Sequence, residues 1–201
     1  MRTAPPDVSR ETLADLEQFA ALVEKWTARI NLISRATVAD VWERHILDST
    51  QLYSLVHTSG HWVDLGSGGG FPGIVVAILA RGQGADQRFT LVESDTRKST
   101  FLRTAIRELN LDATVLAQRI EEVPPLNADI LSARALADLS TLLGFADRHL
   151  APGGTALFPK GAAHEKELDD ARTQWSYSCE TIKSSTNPEA AVLKIKDIAR
   201  V

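Results

Sequence analysis

The sequence of 201 residues has one cysteine, Cys179, and no long apolar run. A single thiol cannot form an internal disulfide, which excludes the disulfide-rich class of small secreted proteins. The longest apolar run, residues 74–80, is far shorter than the roughly 20 residues of a membrane-spanning helix, and residues 1–7 contain no apolar signal core. We therefore expect a soluble cytoplasmic protein, a single globular unit large enough to bury a core without a metal or a disulfide.

An excess of positive charge is also missing. The chain has 22 Lys and Arg against 26 Asp and Glu, a net charge of −4. Overall charge therefore does not hold this protein to nucleic acid, and any RNA contact must come from local groups of basic residues.

The sequence pattern changes near Gly60. Before it, apolar residues recur at helical spacing and predict one helix from Ser9 or Thr12 to about residue 27, and a second over residues 37–56. Two amphipathic helices cannot bury their apolar faces alone. We therefore predict an N-terminal helical cap, residues 1–59, packed on a core of residues 60–201.

After Gly60, short apolar runs alternate with helical patterns. Helices are predicted at 73–81, 96–109 and 136–149. The predicted strands are 62–65, 89–93, 113–116, 130–132, 155–158, 177–184 and 191–198. This alternation predicts an α/β fold in which helices cover both faces of a mostly parallel sheet.

Residues 64–73 contain five glycines in a loop between a predicted strand and a predicted helix. Glycine allows positive φ angles and a close approach of the backbone to a ligand. Phe71 stands where the dinucleotide-binding fingerprint needs its third glycine, and the Gly-Lys-Ser/Thr ending of a phosphate loop is missing. The loop is predicted to bind a ligand of another kind.

The spacing of Gly66, Gly68 and Gly70 behind Asp64 gives the pattern Gly-x-Gly-x-Gly after an acid. This pattern resembles motif I of the class I S-adenosylmethionine-dependent methyltransferases. The chemistry is consistent with that ligand, because an acid at a strand end can bind its ammonium group and backbone N–H groups can bind its carboxylate.

Two further segments would complete such a cofactor site. Glu93 follows the second strand, near the spacing at which an acid binds ribose hydroxyls in nucleotide-binding sheets; alternatively it only adjoins the N-terminus of the next helix. Ile120 and Glu121 follow the third strand, where an apolar residue can pack on adenine and an acid can lie at its edge.

Several stretches resemble one family within this superfamily, the bacterial 16S ribosomal RNA guanine-N7 methyltransferases, also called the glucose-inhibited division protein B family. They are Trp26 with residues 31–34, residues 44–49, residues 64–73, Arg97-Lys98, Ser132 with Arg134-Ala135, and Lys160-Gly161. The resemblance implies a seven-stranded methyltransferase sheet with an N-terminal helical cap, S-adenosylmethionine as cofactor, and 16S ribosomal RNA or the small ribosomal subunit as partner of a monomer.

The resemblance also implies which residues contact the cofactor. They are Gly66, Phe71, Ile120, Glu121 and Arg134, with Glu93 at the ribose. For Arg134, a buried ion pair with Asp64 or Asp129 is the structural alternative.

Guanine N7 has a free lone pair and no proton at neutral pH, so it can attack the methyl group without a general base. We therefore assign no catalytic acid or base, and catalysis depends on positioning. The sequence agrees, because it has no Gly-x-Ser-x-Gly elbow and no set of histidines and cysteines that completes a zinc site. No metal is assigned.

The N7 edge lies in the deep, narrow major groove of A-form RNA, so the target guanine should lie in a loop or a splayed strand. The basic residues that could bind its phosphates are Arg29, Arg35, Arg44, His45, Arg97, Lys98 and Lys160. Each could equally be a solvated surface charge. Two other functions stay open: a small-molecule methyltransferase, favoured by a cap that closes a small apolar pocket, and a ribosome-assembly factor that holds the cofactor without turnover.

Overall fold

The computed structural model describes residue 5, residues 8–56 and residues 59–201, and only the backbone of Arg35. The helices are α1 (Arg10–Thr27), α2 (Asp48–Tyr53), α3 (Gly73–Gly82), α4 (Thr96–Glu108), α5 (Leu139–His149) and α6 (His164–Ala171). The strands are β1 (Gly60–Leu65), β2 (Gln87–Val92), β3 (Ala113–Leu116), β4 (Ala128–Ala133), β5 (Leu150–Lys160), β6 (Trp175–Lys183) and β7 (Ala191–Arg200). Short 3-10 helices span Arg35–Thr37 and Ile120–Glu122, and a π-helix spans Trp42–Leu47.

The seven strands form one sheet in the order β3-β2-β1-β4-β5-β7-β6. The pairs β1–β2, β1–β4, β2–β3 and β4–β5 are parallel, whereas β7 is antiparallel to both β5 and β6. This arrangement confirms the predicted α/β fold with a mostly parallel sheet of seven strands. The strand order reverses at β1, which lies between β2 and β4, and ligands of such sheets bind outside the carboxyl ends of the strands at this point.

Helices cover both faces of the sheet. Successive residues of a strand point to opposite faces, and on β1 Trp62 joins the core cluster of α1, α3 and α4, whereas Val63 joins the cluster of α5 and α6. The helix α3 is buried on nearly all sides, which explains its apolar sequence. In the described ranges no helix is both long and apolar enough to cross a membrane.

The first helix begins as predicted, with the Ser9 side chain accepting a hydrogen bond from the Thr12 N–H at 3.1 Å. The single second helix predicted over 37–56 is wrong, because that segment contains a 3-10 helix, a π-helix and the short α2. Side chains bond several carbonyls of this segment. Ser49 bonds that of His45 and Arg134 that of Arg44, and such bonds compete with regular α-helical bonding.

The N-terminal helices bury their apolar sides in the same cluster as α3. Leu32, in the loop after α1, lies so close to the glycine loop that a Cβ atom on Gly69 would be 3.0 Å from its carbonyl oxygen. The division into a cap of residues 1–59 and a core of residues 60–201 stays a prediction.

Candidate functional site

The glycine loop connects β1 to α3 at the carboxyl edge of the sheet. Gly66 and Gly70 have φ angles of +65° and +87°, in the left-handed region that other residues rarely adopt. A Cβ atom on Gly66 would lie 2.6 Å from Leu136 Cδ1, and one on Gly70 would lie 2.9 Å from the Phe19 ring. Both positions therefore require glycine. Gly66 lies against the loop after β4, and Gly70 lies against α1.

Asp64 lies behind this loop. Its side chain is buried, Oδ1 accepts from Ser132 Oγ at 2.7 Å, and Oδ2 accepts from the Gly73 N–H at 3.2 Å. Burial raises the pKa of this carboxyl to about 6, although its hydrogen bonds act in the opposite direction. Asp64 is buried and does not line the cavity in front of the loop, so its contact with the cofactor ammonium stays a prediction.

A cavity of about 710 Å³ opens in front of the glycine loop. We call it the glycine-loop cavity. Seven of the predicted cofactor residues line it, Gly66, Gly68, Phe71, Glu93, Ile120, Glu121 and Arg134, as do His45 and Lys98. Asp64 and Gly70 do not, because Asp64 lies beneath the loop and Gly70 faces the core.

Glu93 lies at the carboxyl end of β2, on the wall of the glycine-loop cavity. Oε2 accepts from the Gly68 N–H at 2.9 Å and Oε1 from the Asp95 N–H at 2.8 Å. Each carboxylate oxygen has a second lone pair, so Glu93 can still accept bonds from a ligand diol. Glu93 also has the alternative role predicted for it beside the next helix, because it accepts a hydrogen bond from Asp95, the N-cap residue of α4.

Apolar side chains also line the glycine-loop cavity. Ile120 is buried, Glu121 is exposed, and Leu136 and Phe145 also line the cavity. An apolar surface with acidic groups at its edge suits a flat heteroaromatic ring. The sequence analysis missed Leu136 and Phe145, and only the position of Leu136, two residues after Arg134, could have indicated it.

Arg134 lies where β4 ends and contacts the segment around the π-helix. Its Nη1 donates to Asp48 Oδ2 and to the Arg44 carbonyl, each at 3.3 Å, and its Nη2 lies 2.9 Å from His45 Nδ1. The guanidinium also covers the Phe71 ring, 5.2 Å from its centre. The ion-pair partner is therefore Asp48, which the sequence analysis missed, and not Asp64 or Asp129. Asp129 instead accepts the His61 N–H.

The surroundings of His45 favour its neutral form. Burial, followed by the charges of Arg134 and Arg44, lowers its pKa to about 4. Its ring packs on Phe71 at 5.1 Å between centres. A neutral imidazole has no charge to offer a phosphate group, so this position does not suit the predicted role in RNA binding.

A second cavity, of about 1070 Å³, adjoins the first. We call it the hairpin cavity, because residues 184–191 between β6 and β7 form one wall. Arg134, Ala135 and Ala137 line both cavities, and Arg44 and Asp48 line the hairpin cavity alone. Two ligands in these cavities would thus meet at the end of β4.

Hydrogen bonds connect the hairpin wall to the N-terminal segment. Asp48 Oδ1 accepts from Thr186 Oγ1 at 2.7 Å and from Gln51 Nε2 at 3.0 Å. Gln51 Oε1 in turn accepts from the Ser185 N–H at 3.1 Å. Asp48 and Gln51 therefore connect α2 to the hairpin across the hairpin cavity.

The remaining basic candidates fall into two groups. Arg29, Arg44 and Arg97 are exposed, although Arg97 lies 3.3 Å from Asp95. Lys160 is not available: its ammonium donates to Glu167 at 2.6 Å and to the Ala137 carbonyl at 2.8 Å, and only 9% of its side chain is exposed. The RNA contact predicted for Lys160 stays a prediction, and this buried ion pair argues against it. The Arg35 side chain lies outside the described part of the chain.

No three His, Cys, Asp or Glu side chains come together to hold a metal ion in the part of the chain that the structure describes.

The sequence matches the family model GidB, described as rRNA small subunit methyltransferase G, over residues 12–192. Ribosomal RNA small subunit methyltransferase G of Ruegeria sp. (strain TM1040) is 55% identical over 195 residues, which are 97% of this chain and 95% of that protein. The protein of the same name from Cereibacter sphaeroides (strain ATCC 17029 / ATH 2.4.9) is 56% identical over 196 residues, 97% of this chain and 95% of the relative.

Solved structures share the fold at low sequence identity. A SAM-dependent methyltransferase from Aquifex aeolicus has a TM-score of 0.60 and 11% identity, over 88% of this chain and 97% of that one. TYW2 of M. jannaschii, solved in complex with AdoMet, has a TM-score of 0.59 and 14% identity, over 87% and 80% of the two chains. These similarities confirm the predicted methyltransferase fold class.

Proposed function

Because the chain belongs to the GidB family, rRNA small subunit methyltransferase G, we propose that it transfers a methyl group from S-adenosylmethionine to N7 of a guanine in 16S ribosomal RNA. The observation that carries this proposal is the pair of adjoining cavities that share Arg134, Ala135 and Ala137. The glycine-loop cavity takes the cofactor, and the hairpin cavity takes the acceptor.

The glycine-loop cavity fits S-adenosylmethionine. Its volume of about 710 Å³ lies within the usual range of small-molecule sites. Gly66 and Gly68 present bare backbone to the ligand, and Glu93 offers lone pairs to the ribose hydroxyls. Ile120 packs on the adenine ring, and Arg134, at the other end, offers free N–H donors to the carboxylate.

When bound, S-adenosylmethionine supplies an electrophilic methyl group on a sulfonium. The residues of the chain orient the acceptor so that N7 approaches the methyl group in line with the sulfur. No side chain has to remove a proton from N7. Such positioning can account for roughly 7–11 kcal/mol of a reaction barrier. Methylation leaves a positive charge on the guanine ring, and carboxylates on the wall of the hairpin cavity, those of Glu43 and Glu189, favour that charge.

The hairpin cavity favours RNA over a small apolar acceptor. It is large, and charged or polar groups of Arg44, Asp48, Ser185 and Thr186 line it. A small-molecule methyltransferase would instead need the N-terminal segment to close a small apolar pocket. A 16S RNA substrate is consistent with a cytoplasmic protein, and we propose that it acts there as a monomer.

The test is transfer of labelled methyl from S-adenosylmethionine to small-subunit RNA that lacks the modification, followed by nucleoside analysis. We expect label in 7-methylguanosine. The matched control is RNA transcribed with 7-deazaguanosine, which has carbon in place of N7 and should take up no label.

Three results would contradict the proposal. Equal labelling of the 7-deazaguanosine RNA would exclude N7 as the acceptor. Label on small molecules but not on RNA or small subunits would indicate the small-molecule enzyme. Cofactor binding without any transfer, to RNA or to assembled subunits, would indicate a non-catalytic assembly factor.

A further inference from the structure

Arg134 has more hydrogen-bond donors than the protein itself uses. A guanidinium has five N–H groups, and three are taken by Asp48, by the Arg44 carbonyl and by His45. The shortest of the three contacts is the one to His45, at 2.9 Å. Within the described part of the chain two N–H groups are left without a partner, and Arg134 lines the glycine-loop cavity, where an anion can accept from them.

The hydrogen bonds around His45 fix where its proton lies. Arg134 can only donate, so His45 Nδ1 must accept and carries no proton. Thr37 Oγ1 lies 3.0 Å from the other ring nitrogen, Nε2, and itself donates to the Ser34 carbonyl at 3.0 Å. Nε2–H therefore donates to Thr37, and one directed chain of bonds runs from Arg134 through His45 and Thr37 to the loop after α1.

Charge and packing both favour the neutral His45 ring with Nδ1 as acceptor for Arg134. A protonated His45 would place an N–H against the guanidinium donors and add a positive charge beside Arg134 and Arg44. Phe71 contacts both partners, with the His45 ring at 5.1 Å and the Arg134 guanidinium carbon at 5.2 Å from its centre. The imidazole and the guanidinium are thus held side by side on one aromatic ring at the wall of the glycine-loop cavity.

We propose that His45 is a positioning residue for the cofactor: as a neutral acceptor on Nδ1, it holds the Arg134 guanidinium with its two free donors directed at the carboxylate of S-adenosylmethionine. This inference rests on the proposed function only in the identity of that ligand. Since the role is to orient Arg134, His45 acts on cofactor affinity and not on RNA phosphates.

Two substitutions separate this role from packing. In His45→Asn, the amide oxygen takes the place of Nδ1 and keeps an acceptor for Arg134. In His45→Phe, a ring still packs on Phe71 but the acceptor is lost. We expect His45→Phe to weaken S-adenosylmethionine binding about tenfold and His45→Asn by less than about threefold, because a hydrogen bond to a charged group has this size.

Isothermal titration calorimetry gives the cofactor Kd, and steady-state kinetics give the KM for RNA, which we expect to stay unchanged in both variants. Long-range 1H–15N NMR of histidine-labelled protein should show a proton on Nε2 and none on Nδ1 of His45 at neutral pH. Urea unfolding without ligand measures the stability of each variant.

Unchanged cofactor affinity in a folded His45→Phe variant would overturn the proposal, and so would a proton on Nδ1 in the wild type. A raised KM for RNA with constant cofactor Kd would make His45 an RNA contact instead. Failure of the proposed function is distinguishable, because the wild type would then bind cofactor and respond to these substitutions but transfer no methyl group to RNA.

Discussion

The Gly73 N–H donates to Asp64 Oδ2 at 3.2 Å, so one carboxylate joins the end of β1 to the start of α3 across the glycine loop. The other oxygen accepts from Ser132, whose hydroxyl also accepts the Trp62 indole N–H at 2.9 Å. Because Trp62 can only donate, the Ser132 proton must point at Asp64. Asp64 thus fixes the shape of the loop from behind, and the loop shapes the cavity.

Gly73→Ala tests this connection. Alanine favours a helix over glycine by about 1 kcal/mol, so helix propensity alone predicts a stabilised variant. A Cβ atom on Gly73 would, however, lie 2.7 Å from Asp64 Oδ2 and 3.0 Å from Asp64 Cβ. We expect Gly73→Ala to lower the free energy of unfolding by about 1–3 kcal/mol, measured by urea denaturation.

Gly144→Ala is the matched control in α5. A Cβ atom there would make an ordinary contact, 3.6 Å from the Trp175 ring. Helix propensity should then dominate, and we expect unchanged or increased stability. A Gly73→Ala protein as stable as Gly144→Ala would show that Asp64 and Gly73 can separate at no cost.

Much of the fold follows from local sequence signals. The strand of residues 113–116 is predicted at its observed bounds, and the helices predicted at 73–81 and 96–109 are observed at Gly73–Gly82 and Thr96–Glu108. The first is a short apolar run after Asp112, the second is an apolar run that begins at Pro72-Gly73, and the third has helical periodicity behind Asp95. The glycine spacing also predicts the position of the cavity at the end of β1. Gly66, Gly68 and Gly70 all adopt the positive φ angles that this spacing suggests.

Features that depend on contacts distant in sequence are not predictable in this way. The π-helix over Trp42–Leu47 is bonded at Arg44 by Arg134, 90 residues away. The helix His164–Ala171 is short and polar, with only Leu168 and Ala171 buried, so its periodicity is weak. The sequence alone does not distinguish Lys160 from a surface charge, because its partner Glu167 comes close to it only in the folded chain, where α6 follows β5.

Gly66→Ala should reduce cofactor binding by much more than it reduces stability. The added Cβ would lie 2.6 Å from Leu136 Cδ1 at the wall of the glycine-loop cavity. We expect S-adenosylmethionine affinity to fall at least about tenfold, since the space for the ligand is filled. Calorimetric titration measures the affinity.

The control for Gly66→Ala is Gly84→Ala. Gly84 has a φ angle of +64°, nearly that of Gly66, and no atom lies within 4 Å of its Cβ position. Both variants should therefore lose a similar stability, about 1–2 kcal/mol, from the left-handed backbone. Equal cofactor affinity of the two variants would mean that Gly66 does not face the ligand.

Lys160→Ala should act on stability and not primarily on RNA. It removes the ammonium that lies between Glu167 and the Ala137 carbonyl. Among the described residues, the half-buried Glu167 carboxylate then keeps the Leu139 N–H as its one hydrogen-bond partner. We expect a loss of about 1–3 kcal/mol in the free energy of unfolding.

The double variant Lys160→Met with Glu167→Gln removes both charges and keeps the apolar stem. Replacing both partners of a buried pair is often nearly neutral, so most of the stability should return. A Lys160→Ala protein with wild-type stability and a raised KM for RNA would restore the original assignment of Lys160 as an RNA contact.

His45 makes stability depend on pH with a defined sign. Its pKa of about 4 in the folded protein lies below the ordinary 6.5, so between these values the unfolded chain binds a proton that the folded chain does not. Stability therefore falls as the pH is lowered through this window. Asp64, with a folded pKa of about 6 against 3.8, has the opposite sign over much of the same range.

His45→Asn separates the two contributions, since Asp64 titrates in both proteins. As the pH falls from about 7 to about 5, the wild type should lose stability relative to His45→Asn, in urea unfolding curves measured at each pH. A constant difference between the two proteins across this range would show that His45 titrates normally in the folded state.

Arg44→Ala tests the acceptor side without disturbing the Arg134 contact. The exposed Arg44 side chain lines the hairpin cavity, whereas Arg134 bonds only the Arg44 backbone carbonyl, which alanine retains. We expect a higher KM for RNA, an unchanged cofactor Kd, and a salt dependence of RNA binding reduced by about 0.7 in log–log slope, as for one lost phosphate contact. Arg107→Ala, which removes an exposed cation that lines neither cavity, should leave all three quantities unchanged. If both variants lowered the slope equally, RNA binding would reflect general charge, and the hairpin cavity would have no special role in guiding the acceptor.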